Sequence, residues 1–205
     1  ELVGGDTTAG PLSVSVQVLG LVPIGTALRR SGARPDDVVA VSGSLGDAQA
    51  GLELLQQAAP NDDPGRRFLR GRHEYPTPRI ALGLALRGLA NAAMDLSDGL
   101  AGDLPKLIAA SAVGAEIAVE QLPLSPALTD YAGATRATEY ALSGGDDYEL
   151  LCCIPPDRWA DARAAADALG LPLSAIGRIR AGDGVTWSMN GTPFRPSAAG
   201  YEHFR

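Results

Sequence analysis

Ala92-Ala93-Met94-Asp95-Leu96-Ser97-Asp98-Gly99-Leu100 is the stretch on which the reading of this chain turns. Its first five residues are small or apolar except for Asp95, the pattern of a buried strand. Ser97-Asp98-Gly99 breaks that strand, and a helix is predicted from about Leu100 to Ser111. Asp95 thus closes a strand and Asp98 follows after a short turn. Both carboxylates can face one cleft at a sheet end, where ligands of open α/β sheets gather. Pro105 fits the helix only in its first turn.

On the N-terminal side, Val38–Ser42 is a short β-branched run ending at Gly43-Ser44-Leu45-Gly46. A helix is expected over 47–57, with Asp47 at or near its N-cap. Residues 60–67 are polar and read as a surface loop, 75–79 as extended around two prolines, and 80–89 as a helix. Earlier still, 12–22 alternates apolar and polar side chains, which predicts a half-buried strand, and 24–34 reads as a linker. On the C-terminal side, strands are expected at 115–120, 148–154, 175–179 and 185–189, and an Ala-rich helix at 156–169. Residues 140–147 read as a loop, and Asn190-Gly191 as a hairpin turn. Helices and strands alternate irregularly, so the expected class is α/β (α+β) with a mixed sheet.

The net charge of −7 over 205 residues argues against a nucleic-acid partner and against docking on an anionic membrane. No apolar stretch of membrane-spanning length and no secretory signal is visible, which makes the cytoplasm the expected compartment. Cys152 and Cys153 are neighbours in an apolar strand, so their side chains point to opposite faces and read as small buried hydrophobes.

There is no phosphate-binding loop of the G-x-x-x-x-G-K-[ST] kind, and Lys106 is the only lysine. If phosphates are handled here, cations must do a lysine's work. Three acidic clusters offer ligands: Gly4-Gly5-Asp6-Thr7-Thr8, Asp95 to Gly99, and Ser143-Gly144-Gly145-Asp146-Asp147-Tyr148-Glu149. Magnesium takes hard oxygen ligands, and glycines let a backbone approach a phosphate. Each cluster also has a plain reading, as a tight turn, a helix N-cap or a solvated loop. Arg29-Arg30 can clamp a phosphate or be a surface pair. Arg79 reads as an ion-pair partner. His73 and His203 have no partner at metal-ligand spacing.

These motifs, in this order, resemble thiamine-monophosphate kinases of the PurM-like (AIR synthase-related) superfamily. The resemblance is carried by Gly4–Pro11, Arg30-Ser31-Gly32-Ala33, Val41–Asp47, Pro76-Thr77-Pro78-Arg79, Met94–Leu100, Leu142–Leu150 and Gly200-Tyr201-Glu202-His203-Phe204. It implies a PurM-like C-terminal domain over 26–205, with 1–25 as the last strand and loop of an N-terminal ATP- and Mg-binding, dimer-forming domain whose remainder is absent. It also implies transfer of a phosphoryl group from ATP to thiamine phosphate, and a homodimer in the intact protein.

Carried over by motif, Asp6, Asp95 and Asp98 are magnesium ligands. Gly5, Asp6, Arg30 and Ser97 meet ATP, Asp98 and Arg30 act in catalysis, and Asp146 and Tyr201 meet the substrate. The family more often has Glu at Asp146, one methylene longer, and Gly at Pro105. Alternatives are another PurM-like ATP-using enzyme (aminoimidazole ribotide synthase-like or selenophosphate synthase-like) and a non-catalytic nucleotide-binding domain.

Overall fold

The structure is a computed structural model that describes residues 3–7, 9–58 and 63–198. Seven strands form one mixed sheet: β1 (Val38–Ser42), β2 (Ala92–Asp95), β3 (Gly114–Ala118), β4 (Leu150–Ile154), β5 (Leu173–Arg180), β6 (Val185–Met189) and β7 (Thr192–Phe194). Their order across the sheet is β2-β4-β1-β5-β3-β6-β7. Among the described residues only the β3–β6 pair is parallel. β1 runs between β4 and β5, and its residues from Val39 to Ser42 are buried, because an interior strand is covered on both faces.

The period of two along each strand sorts its side chains between two cores. Val39 and Val41 face one side with Cys153, Leu151 and Ile176, under helix α4 (Leu100–Ser111). Ala40, Cys152 and Ile154 face the other side, under α3 (Ile80–Ala85) and α6 (Trp159–Asp167). The two cysteines are therefore free, fully buried and divided between the two cores, as their neighbouring positions required. α4 packs through Leu100, Leu104, Leu107 and Ile108, each contributing about 1.5–3 kcal/mol of apolar burial. Pro105 lies beyond the first turn of α4, on the exposed face, where its missing N–H costs one helical bond.

A third cluster joins α1 (Asp47–Gln56), α2 (Pro64–Glu74) and α5 (Pro126–Ser143) through Leu54, Leu69 and Leu128. α2 occupies part of the stretch expected to be a loop. Asp63 accepts from the Arg66 N–H as its N-cap and Pro64 takes the first helical position, so the end signal was there. Only Leu69 is buried, which left α2 without apolar periodicity. α5 is interrupted at Gly133, whose φ of 72° breaks the helix in two.

Residues 12–22 differ from expectation: they form no strand among the described residues, and Leu12, Val14, Val16 and Val18 are exposed. Alternation supplies one apolar face, but a strand also needs a neighbour for its backbone bonds. The linker that follows does dock. Ser111 Oγ, at the end of α4, receives the Gly32 and Ala33 N–H groups and donates to the Arg30 carbonyl.

Candidate active site

The two central acidic motifs meet where β2 ends and β4 begins. The Leu96 N–H donates to the Glu149 carbonyl, Tyr148 N–H to Leu96 O, and Asp146 N–H to Ser97 O, each at 2.9 Å. The β2–β4 pairing thereby continues past both strands and fastens the Ser97–Gly99 turn to the Gly144–Glu149 loop. Close backbone approach is part of the join. A Cβ on Gly99, whose φ is +85°, would lie 2.8 Å from the Gly144 carbonyl oxygen, and one on Gly145 2.7 Å from Ser97 O. Asp146 and Tyr148 both hold positive φ, 67° and 49°, a conformation that costs a non-glycine residue about 1–2 kcal/mol.

Asp103, buried in the first turn of α4, accepts from the N–H groups of Ser97 and Asp98, both at 2.8 Å. Its other oxygen takes Lys106 Nζ at 2.8 Å, and Lys106 also reaches Asp98 Oδ2 at 2.5 Å. The single lysine is therefore the built-in counter-ion of Asp98. Both carboxylates raise Lys106, Asp103 first. Asp95 is exposed at the strand end and borders two neighbouring clefts, of about 550 and 480 Å³. Desolvation first, then Asp146, whose Oδ1 accepts from the Tyr148 hydroxyl at 3.3 Å, and then the charges of Asp95 and Asp98 push that hydroxyl up.

Behind this rim the loop rests on buried charge. The Glu149 carboxylate, fully buried, binds Arg79 and Arg72 and accepts from Ser42 Oγ at 2.5 Å. Arg79 is thus the ion-pair partner expected. Asp147 turns inward and accepts from the Gly46 and Ala48 N–H groups at 2.6 and 3.1 Å. It caps the N-terminus of α1 from a distant part of the chain, since Gly46 has no side chain to do so. Burial raises Asp47 as well, against hydrogen bonds from Ser125 and Ser44.

The sequence candidates fall into three sets. Asp95, Ser97, Asp98 and Asp146 are brought together at the sheet end. Gly5 and Asp6 are exposed on the N-terminal segment, where the Asp6 carboxylate accepts from the N–H of its neighbour Thr7. Arg30 is exposed on the linker, its backbone fixed at the C-terminal end of α4, whereas Asp98 precedes the N-terminal end. Tyr201 and His203 lie outside the described residues. Among the described residues no group of three or more acidic, histidine or cysteine side chains forms a ready metal cage.

Sequence reading missed the roles of Asp147, Glu149, Arg72 and His73. His73, in the last turn of α2, lines a third cleft of about 210 Å³ with Ser97 and Asp146. Its Nδ1 lies 3.8 Å from Asp146 Oδ2. No spacing signal could have found it, because its partner is far along the chain.

The chain is similar to known proteins in sequence and in fold. Residues 34–189 match the family described as AIR synthase related protein, C-terminal domain. The thiamine-monophosphate kinase of Escherichia coli K12 is 44% identical over 208 residues, covering 100% of this chain and 63% of the relative. The chain thus spans less than two thirds of that protein's length. Among solved structures, thiamine-monophosphate kinase from Stenotrophomonas maltophilia K279a superposes with a TM-score of 0.78 at 43% identity, covering 84% of this chain and 56% of that one. AaThiL complexed with AMPPCP and TMP superposes with a TM-score of 0.73 at 40% identity, covering 86% and 54%. With its mixed sheet, its layered helices and a match over most of its length, the chain belongs to the AIR synthase related protein family, whose C-terminal domain it carries.

Proposed function

We propose that this chain is the C-terminal portion of a thiamine-monophosphate kinase, which transfers the γ-phosphoryl group of ATP to thiamine phosphate and forms thiamine diphosphate. The observation that carries this reading is the similarity to such kinases along the whole chain, with both central acidic motifs joined at one sheet end. A solved relative complexed with AMPPCP and TMP supports ATP as co-substrate and thiamine phosphate as acceptor.

The acceptor is itself a phosphate anion, so the reaction needs no strong general base. The difficulty is bringing two polyanions together. Magnesium usually takes one or two carboxylates and leaves its other positions to water and phosphate oxygens. Asp95 and Asp98 fit that donor set, and they would hold the ion, with Asp6 of the exposed N-terminal segment as a further proposed ligand. When bound, the ion would neutralise phosphate charge as the phosphoryl group transfers. The chain's own residues do the positioning. Asp103 and Lys106 fix the turn that presents Asp98 and Ser97, and the proposed contacts to ATP come from Gly5, Asp6, Ser97 and Arg30. Arg30 would bring positive charge to the transferred group. Its exposed place by the far end of α4 makes it a separate test. Asp146, with Tyr201, would meet the cationic thiamine moiety. A cytoplasmic homodimer acting on small molecules, with neither nucleic acid nor membrane as partner, completes the proposal.

The test is consumption of ATP, with ADP and AMP both measured, by the full-length protein offered thiamine phosphate, an aminoimidazole precursor or selenide in turn. Turnover that depends on thiamine phosphate is expected. Turnover with either of the other two instead would overturn the reading.

A further inference from the structure

We infer that His73 is a specificity-determining residue of the cleft beside Asp146: its Nδ1 and the Asp146 carboxylate together grip the amino-substituted edge of a planar nitrogen heterocycle. The inference rests on the thiamine phosphate reading for the identity of the ring, which is then the aminopyrimidine, and adds a recognition residue to it.

The cleft holds about 210 Å³. An apolar cavity of about 150 Å³ takes a benzene ring, so one substituted six-membered ring fits here. Ala48 and Leu52 of α1 give the cleft apolar wall, and Gln49, Ser97, His73 and Asp146 give it polar groups. His73 Nδ1 is buried and makes no hydrogen bond among the described residues. Its distance of 3.8 Å from Asp146 Oδ2 is too long for one. Buried polar atoms in native proteins are nearly always paired, and an orphan on a residue that lines a cleft points to a ligand there.

Both groups are held in place before any ligand arrives. A Cβ on Gly51 would lie 2.2 Å from the Leu69 carbonyl oxygen and 3.0 Å from His73 Cβ, so the bare glycine lets α2 press against α1 and brings His73 to the cleft. The Asp146 N–H is tied to Ser97 O, and its Oδ1 accepts from the Tyr148 hydroxyl at 3.3 Å, which leaves Oδ2 on the His73 side.

A carboxylate only accepts, whereas a neutral imidazole nitrogen donates or accepts according to its tautomer. An exocyclic amine donating to Asp146 Oδ2, beside a ring nitrogen accepting from the His73 Nδ1–H, satisfies both. A carbonyl in place of the amine would set an acceptor against the carboxylate, and such mismatches are strongly rejected.

The experiment is calorimetric titration of the full-length protein with thiamine phosphate in the presence of a non-hydrolysable ATP analogue. His73→Leu should weaken thiamine phosphate about tenfold, as expected for one hydrogen bond left unmade, with binding of the ATP analogue unchanged. His73→Asn, whose amide reaches near the Nδ1 position, should restore most of the affinity. A thiamine phosphate analogue with C–H in place of the ring nitrogen beside the amine should bind the wild type about tenfold more weakly and lose nothing further on His73→Leu. Equal binding of thiamine phosphate by wild type and His73→Leu overturns the inference. If that variant fails to fold, wild type binding the C–H analogue as tightly as the parent overturns it. Wild type that binds the ATP analogue but not thiamine phosphate overturns the substrate reading itself, and this inference with it.

Discussion

Glu149 and Arg79 meet at two points: Nε donates to Oε2 at 2.7 Å and Nη2 to Oε1 at 2.5 Å. The pair is side-on, Glu149 is fully buried, and Arg72 Nη2 adds a third contact at 2.9 Å. A Cβ at Gly43 would sit 2.2 Å from this carboxylate, so the turn after β1 is shaped around it. Removing one member of a buried ion cluster leaves the others charged and unpaired. Glu149→Ala should therefore cost about 3–5 kcal/mol in urea unfolding. An unchanged midpoint would show that the two arginines find other partners.

Asp147, two residues before Glu149, gives the chain a pH dependence. Burial, the largest influence, pushes its carboxyl from 3.8 up to about 7. The N–H groups of Gly46 and Ala48 and the nearby Arg72 pull the other way, while Asp47 adds to the rise. Between about pH 4 and about pH 7 the folded chain keeps a proton on Asp147 that the unfolded chain has lost. The stability from this group is complete below about pH 4 and is lost as the pH climbs through about 7, by up to about 1.4 kcal/mol per unit. Asp147→Asn removes the titrating group, so its unfolding free energy should fall less over this window than that of the wild type. Parallel curves for the two proteins would refute the assignment.

How much of this could be read beforehand depended on where the determining contacts lie. The strands ending at Ser42 and Asp95 were legible because buried strands announce themselves in local apolar runs. That Asp95 and Asp98 would stand at a sheet end was legible too, since Ser97-Asp98-Gly99 breaks an apolar run just where β2 stops. What each carboxylate does was not. Asp98, Asp147 and Glu149 sit in similar motifs, yet one is paired with Lys106 at the rim, one caps a helix, and one is locked between arginines. The partners of the last two are 70 or more residues away, beyond any spacing rule. α5 was hidden for a different reason: Gly133 resets its helical phase midway.

Asp95 lends itself to separating catalysis from folding. It is exposed and closes an edge strand, so Asp95→Asn should leave the unfolding midpoint within about 0.5 kcal/mol of the wild type. Turnover in the full-length protein should fall on the order of 100-fold, the scale for removing one electrostatic contact to the reacting group. Raising the magnesium concentration should recover part of that loss if the carboxylate acts by recruiting the ion. Unaltered turnover across a magnesium titration would remove Asp95 from the site.

Gly99 tests whether the join between the two acidic loops matters as geometry rather than as charge. Gly99→Ala changes no charge and no hydrogen-bonding group. Its Cβ, however, would meet the Gly144 carbonyl oxygen and the Ser143 carbonyl carbon at 2.8 Å, and the backbone φ of +85° is itself unfavourable for alanine. Relief requires the Gly144–Glu149 loop to move away from Ser97, lengthening the Asp146 N–H bond to the Ser97 carbonyl. The variant should lose about 2–3 kcal/mol of stability from strain and the weakened join. Thiamine phosphate binding should suffer more than ATP binding, because Asp146 moves while the Asp103 contacts that hold Ser97 and Asp98 remain. Equal losses for both ligands would mean that the turn and the loop shift together as one body.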